Sequence, residues 1–402
     1  MSAAASTPAP GPVGVTAPAG FRAAGVACGI KSAGRDLALV VNDGPEFAAA
    51  GVFTRNRVQA APVRWSRQVL TGGVVRAVVL NSGGANACTG PAGLQDTQDT
   101  AAHTAAAFGI DVGQVAVCST GLIGERLPMD RLRAGVDAAA AALARDATDH
   151  PDGGGMAAAE AIMTTDTRPK SVQLDHPAGF TVGGMAKGAG MLAPALATML
   201  AVITTDAVAD PATLDAALRQ AVRVSFDRLD SDGCMSTNDM VLLLASGASG
   251  HTPDPATLTE VVTAACTDLA RQLLADAEGH TKQVAIRVTG AASEDDAVEV
   301  GRAVARSNLV KTALFGGDPN WGRILAAVGT TTATFDPDAV DVAVNGVWVC
   351  RAGTAAADRS LVDLTPVEVD IEIALHTGAA EATVWTNDLS HAYVHENSAY
   401  ST

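Results

Sequence analysis

Four short runs of this chain are apolar along nearly their whole length: residues 37–41 (LALVV), 74–80 (VVRAVVL), 199–203 (MLAVI) and 240–245 (MVLLLA). None has the three-to-four-residue stripe of a surface helix or the alternation of a strand with one wet face. Runs this short and apolar on both sides fit strands of a sheet that is covered on both faces. A chain with several of them must stack sheets and helices in layers, so the expected class is α/β. Aromatic residues make up only 3% of the 402 residues against 48% hydrophobic overall, so the covering layers have to be aliphatic.

Between these runs the helix signals are clear. Asp210-Pro211-Ala212-Thr213-Leu214 recurs as Asp254-Pro255-Ala256-Thr257-Leu258. In both, Asp can cap exposed N–H groups and Pro suits the first helical position. Leu214, Leu218 and Val222 follow at helical spacing after the first motif, and Leu258, Val262, Leu269 and Leu273 after the second. The second helix is read as running to Glu278 and Gly279, which sets a carboxylate against the helix dipole and hints at another use for it. Further helices are expected over 95–108, 129–146, 157–163 and 294–305. Strands are expected within 21–41, at Pro62-Val63, over 171–182 leading to Lys187, and over 198–205, 284–288, 340–349 and 367–375. Residues 311–323 (KTALFGGDPNWGR) are dense in turn formers and potential anion binders, and the last ten residues are expected to fray.

Charge and cysteine usage narrow the function. A net charge of −16 argues against nucleic acid or an anionic membrane as partner. Six scattered cysteines with no C-x-x-C pair read as reduced thiols of a cytoplasmic protein. Residues 1–13 lack the basic and apolar segments of a signal peptide and read as a disordered tail. No run reaches the ~18 apolar residues of a membrane span. Metal-binding, P-loop and G-x-S-x-G motifs are absent, so no metal and no cofactor is expected. The acidic stretch from Asp230 to Asp239 lacks the glutamate a calcium loop needs and is read as a capped or site-lining turn.

What remains is an activated hydroxyl. Thr198 opens the apolar run at 199–203 and follows the flexible segment Lys187-Gly188-Ala189-Gly190. A threonine hydroxyl needs a base to attack a carbonyl, and an N-terminal threonine carries one in its own α-amine, whose pKa is about 8. The small residue Ala197 before it permits attack on the Ala197 carbonyl and a cut between the two. Two strand ends could line such a site, or be ordinary loops: 81–90 (NSGGANACTG) as a nest of backbone N–H groups, and 119–124 (STGLIG), where Thr120 and Gly121 could hold an oxyanion.

Long motifs in this order, NSGGANACTG, STGLIGERLPM, IMTTD, KGAGMLAPALATML, STNDMVLLLASG, KTALFGGDPNWGRI and the terminal ENSAYST, resemble the ornithine acetyltransferase (glutamate N-acetyltransferase) family of arginine biosynthesis. The actinobacterial members are the most similar, and the likeness runs from about Phe21 to Thr402. The resemblance implies the layered α-β-β-α fold of self-processing N-terminal-nucleophile enzymes, with a larger catalytic domain over about 14–290 and a smaller α/β domain over about 291–402. It implies cleavage into an α chain, 1–197, and a β chain, 198–402, which stay together as a heterotetramer. Thr198 matches the nucleophile, and Thr120 and Gly121 match the oxyanion pair. Thr164, Lys187, Thr198, Glu278, Asn397 and Thr402 match the substrate-binding positions, with Lys187 suited to a carboxylate and Glu278 to an amine. The substrates implied are N-acetylornithine and glutamate, with acetyl-CoA as a further possible donor. The departures, Gly84, Cys234, Met235 and Met240, fall on none of these positions. The rival readings are an N-terminal-nucleophile amidase or aminopeptidase and a non-catalytic amino-acid binding protein.

Overall fold

The computed structural model describes residues 13–145, 153–190 and 199–399. Ala197, Thr198 and Thr402 lie outside them, as does the expected tail apart from Val13. The first half builds β1 (Phe21–Val26), β2 (Leu37–Asn42), β3 (Ala49–Phe53), α1 (Ala61–Val69), β4 (Ala77–Gly84), α2 (Gly90–Phe108), β5 (Val115–Leu122), α3 (Met129–Leu143), α4 (Gly155–Ala161), β6 (Lys170–His176) and β7 (Phe180–Lys187). There follow β8 (Leu200–Thr205), α5 (Pro211–Val224), β9 (Met240–Ala245) and α6 (Pro255–Leu274).

Two sheets lie face to face, ordered β1-β2-β4-β5 and β3-β9-β8-β7-β6. The doubly apolar runs explain this stacking. In β8 and β9, Ala201, Ile203, Val241 and Leu243 point to the core shared with α5 and α6. Their neighbours Leu200, Val202, Met240, Leu242 and Leu244 point the other way, against Val40, Val78, Leu80 and Ala116 of the first sheet. The outer face of that sheet, with Leu37, Leu39, Val79 and Val117, is covered by Ala101 and Ala105 of α2 and by Leu132, Val136 and Ala139 of α3. The result is an α-β-β-α stack, held by aliphatic side chains that contribute roughly 1.5–3 kcal/mol each when fully buried. Asp210 and Asp254 each accept two backbone N–H bonds at the starts of α5 and α6, as the repeated motif predicts.

A third sheet has its own core. It contains β10 (Gln283–Ala291), β11 (Asp341–Val344), β12 (Val347–Arg351), β13 (Thr354–Ala355), β14 (Glu368–Ala374) and β15 (Ala380–Asn387) in the order β13-β12-β11-β14-β10-β15. The helices α7 (Glu294–Ala305), α8 (Asn308–Phe315) and α9 (Trp321–Val328) accompany it, and α10 (His391–Ala399) follows β15. Because β10 sits between β14 and β15, this core begins at Gln283, a little before the boundary read near 291.

Several local expectations fail for identifiable reasons. Pro62-Val63 is not strand but the start of α1, where the proline occupies the first turn and costs no hydrogen bond. Residues 171–182 are not one strand but parts of β6 and β7, paired from His176↔Phe180 around a tight turn. The turn-rich 311–323 segment is mostly α8 and α9, whose starts are capped by the side chains of Ser307 and Asn320. The chain end forms α10 up to Ala399. The helix expected to reach Glu278 stops at Leu274, which leaves Glu278 in the following turn. Among the described residues no helix is long and apolar enough to cross a membrane.

Candidate active site

The site lies where the ends of β5 and β7 meet the turn after α6. Thr120 and Gly121 are in the last part of β5 and not in a turn, because β5 continues in parallel register with β4 through Ser82↔Thr120 and Gly83↔Gly121. At Gly84 the register slips. Gly121 has φ +126°, and a Cβ there would stand 2.4 Å from the carbonyl carbon of Gly83. Only glycine meets both conditions. This bend leaves Thr120 buried with its hydroxyl turned toward β7.

Lys187 ends β7 and is 1% exposed. Its Nζ lies 2.8 Å from Thr164 Oγ1, 3.4 Å from Thr120 Oγ1 and 4.0 Å from Asp166 Oδ2. Burial pushes its pKa down from the ordinary value; the Asp166 charge opposes that, and the like charge of Lys170 adds to it. Asp166 is also buried. Burial works against its charge, but the Lys187 and Lys170 ammonium groups outweigh this and hold the carboxyl below its usual range. Its oxygens accept the N–H groups of Thr164 at 3.0 Å and Gly188 at 2.7 Å.

The far wall carries Glu278 and Asn397. The Glu278 N–H donates to Ala189 O at 2.9 Å, tying the turn after α6 to the strand end that holds Lys187. Gly279 has φ +58°, and a Cβ on it would stand 2.2 Å from the Tyr393 backbone nitrogen. That close approach brings α10 against the turn, where Asn397 Nδ2 donates to Glu278 Oε2 at 3.0 Å. A Cβ on Gly190 would stand 2.4 Å from the Glu278 carboxylate, the movable end of a flexible side chain. Gly190→Ala is therefore expected to displace that carboxylate and raise KM several-fold, with thermal stability nearly unchanged. Kinetics and a melting curve on the same preparation check this.

Thr120, Gly121, Thr164, Lys187, Glu278 and Asn397 all line one cavity of about 90 Å³, together with Ser236, Thr237 and Asn238. Asn238 braces the floor, since its Nδ2 donates to Ala85 O at 2.6 Å and Ser119 O at 2.8 Å. Met199, the residue after Thr198, is held by its N–H to Asp239 Oδ1 at 2.9 Å. Asp239 is fully buried, and burial raises its pKa well above the usual carboxylate range despite the Met199 N–H, the Ser236 hydroxyl and the Lys187 charge. The sequence reading singled out neither Asp239 nor Asn238 as site residues, although both lie in the STND motif. It missed Lys170 and Asp276 and gave no role to Asp166, which closes the IMTTD motif. Scarcity was an available signal for Lys170, which is one of only five lysines in the chain. The site offers hydroxyl and ammonium donors on one wall and a carboxylate on the other, an arrangement suited to a small zwitterion bearing a carbonyl. Among the described residues no cluster of His, Cys, Asp or Glu is placed to hold a metal ion.

The ArgJ family model matches residues 22–402. The arginine biosynthesis bifunctional protein ArgJ of Thermobifida fusca is 63% identical over 389 residues, covering 96% of this chain and 100% of that protein. The protein of the same name from Streptomyces avermitilis is 61% identical over 388 residues, covering 96% and 99%. A crystal structure of ornithine acetyltransferase complexed with ornithine, from Mycobacterium tuberculosis, contains a chain 63% identical to this one; it covers 46% of this chain and 96% of its own, with a TM-score of 0.43.

Proposed function

Because the chain belongs to the ArgJ family, acetyltransferases of arginine biosynthesis, we propose that it moves an acetyl group from N-acetylornithine to glutamate through an ester on Thr198. The precursor first cuts itself. The Thr198 hydroxyl attacks the Ala197 carbonyl, the C–N bond breaks, and the nitrogen takes a proton to become the α-amine. Water then hydrolyses the ester, leaving Ala197 as a carboxylate. The α and β chains stay together and pair into a heterotetramer.

In the first half-reaction the α-amine takes the Thr198 hydroxyl proton as the oxygen attacks the acetyl carbonyl. Thr120 and the Gly121 N–H stabilise the oxyanion, ornithine leaves with the proton, and acetyl-Thr198 remains. In the second, the glutamate amine attacks the ester and leaves as N-acetylglutamate. Lys187, with Thr164, receives the carboxylate that both substrates carry. Glu278, held by Asn397, receives a substrate amine, and Thr402 completes the binding set.

One observation carries this reading: six residues from five separated stretches of chain converge on one small cavity beside Met199, the neighbour of the candidate nucleophile. Incubating purified enzyme with N-acetylornithine and glutamate should give N-acetylglutamate and ornithine in equal amounts, and free acetate without N-acetylglutamate would refute the transfer. The relatives are named as bifunctional proteins, which supports a second activity, and we take acetyl-CoA as the second donor. The same assay with acetyl-CoA in place of N-acetylornithine tests that.

A pH effect follows from Lys187. Burial lowers its pKa from the ordinary lysine value, so its ammonium is lost at a lower pH than an ordinary lysine's. KM for glutamate should therefore rise with increasing pH, and at a lower pH than the loss of an ordinary lysine's charge would produce. In a Lys187→Met variant KM should already be high and should no longer show this alkaline rise.

A further inference from the structure

Lys170 is the first residue of β6 and is wholly buried, with its backbone opposite Ala186 on β7, one position from Lys187. Its Nζ lies 2.6 Å from Asp166 Oδ1, 2.6 Å from Asp276 Oδ2 and 3.4 Å from Arg168 O. An ammonium has three donors, and these three acceptors use them all. The two carboxylates belong to different parts of the site. Asp166 organises Thr164 and Gly188, as described above. Asp276 stands two residues before Glu278 and accepts the Thr167 N–H at 3.0 Å and its hydroxyl.

With Lys187 counted in, the cluster holds two ammonium groups and two carboxylates, all buried. Asp166 sits between the two lysines, at 2.6 Å from one and 4.0 Å from the other. We propose that Lys170 is a positioning residue for substrate binding: it draws Asp166 away from Lys187, keeping that ammonium directed at the substrate carboxylate, and it ties Asp276 and the Glu278 turn to the same anchor. The proposal rests on the reading that Lys187 binds substrate.

The charge count shows why removing Lys170 should act through Lys187. Without it, two buried carboxylates face one buried ammonium. Asp166 then keeps the Thr164 and Gly188 N–H groups and has Lys187 as its nearest ammonium, and a shift of little more than an ångström turns their 4.0 Å separation into a direct ion pair. The substrate carboxylate would have to displace an internal one. The turnover chemistry, which depends on Thr198, Thr120 and Gly121, is affected less.

The test is steady-state kinetics on three variants of the full-length protein as purified, since KM does not depend on the fraction of enzyme that is active. Lys170→Met should raise KM for both N-acetylornithine and glutamate by ten-fold or more, with a smaller change in kcat. Lys170→Met/Asp166→Asn, which restores the charge balance, should return both KM values to within a few-fold of wild type. If Lys170→Met does not fold, Lys170→Gln takes its place with the same expectations. A folded single variant with KM within two-fold of wild type overturns the proposal, as does a double variant whose KM stays as high as the single one's. Lys187→Met separates the two levels of argument. If it leaves KM unchanged, the substrate role of Lys187 fails and this proposal fails with it. If it raises KM while Lys170→Met does not, only the role of Lys170 fails.

Discussion

Thr198→Ala is expected to leave a single chain of 40.4 kDa on a denaturing gel, where wild-type protein should give two bands of about half that mass. It should also form no detectable N-acetylglutamate. Both effects come from one atom. In the proposed mechanism the hydroxyl oxygen is the attacking group in the cut at Ala197–Thr198 and the carrier of the acetyl group afterwards, and no other side chain there can replace it. Losing a nucleophile of this kind costs on the order of 10⁴-fold or more in kcat. The fold should survive, because the sheet does not depend on that hydroxyl: Met199 is anchored on Asp239, and β8 is paired on both sides from Leu200 onward. An unchanged circular dichroism spectrum would separate loss of chemistry from loss of structure. Thr198→Ser, which keeps a hydroxyl on Cβ, should still cleave and turn over at a reduced rate. A Thr198→Ala chain that appears as two fragments, or that transfers acetyl at a tenth of the wild-type rate, would overturn the mechanism.

The layers of the fold were legible because they follow from short-range pattern. An apolar run such as 240–245 has no polar face to offer water, so it demands a cover on both sides, and β9 has one in each core. The Asp-Pro caps were legible for the same reason, since cap and helix are adjacent in sequence. Pro62-Val63 shows the limit of this reasoning. Valine's strand preference suggested a sheet, while the α1 pattern, in which Val63, Ser66 and Val69 are buried three residues apart, spans more of the chain than the local reading covered.

The site divides in the same way. Thr120 and Gly121 could be picked out as candidates because hydroxyl and glycine residues at a strand end form a local pattern, although the same pattern fits an ordinary loop. Lys170 does not, since its two carboxylates are 4 and 106 residues away in sequence and only the folded chain brings them together. Asp239 lay in a stretch already read as a site-lining turn, but its tie to Met199 spans 40 residues and had no local signature. Buried ion networks of this kind are set by tertiary geometry, and spacing alone does not reveal them.

The second large effect concerns the oxyanion. Thr120→Ala is expected to lower kcat by 10²- to 10³-fold with little change in KM, which corresponds to about 2.7–4 kcal/mol of lost transition-state stabilisation. The hydroxyl of Thr120 lies 3.4 Å from Lys187 Nζ, the longer of the lysine's two hydroxyl contacts among the described residues, whereas Thr164 Oγ1 is at 2.8 Å. Thr164 therefore does more to fix the lysine, and Thr120 can turn its proton toward a charge that develops only during reaction. That asymmetry predicts a separation between the two threonines. Removing the Thr164 hydroxyl should disturb Lys187 and act mainly on KM, while removing the Thr120 hydroxyl acts on kcat. Gly121 is the second donor of the proposed mechanism through its backbone N–H, and its φ of +126° is one that an L-residue rarely adopts. The self-cleavage proposed above would pass through the same kind of tetrahedral oxyanion, so Thr120→Ala should also slow maturation, and freshly made protein should show uncut chain that disappears on standing. Separate measurement of the cleavage rate and of kcat on fully cleaved enzyme decides the matter. A Thr120→Ala variant that keeps wild-type kcat once cleaved would remove this hydroxyl from the oxyanion site and leave the Gly121 N–H as its sole assigned donor.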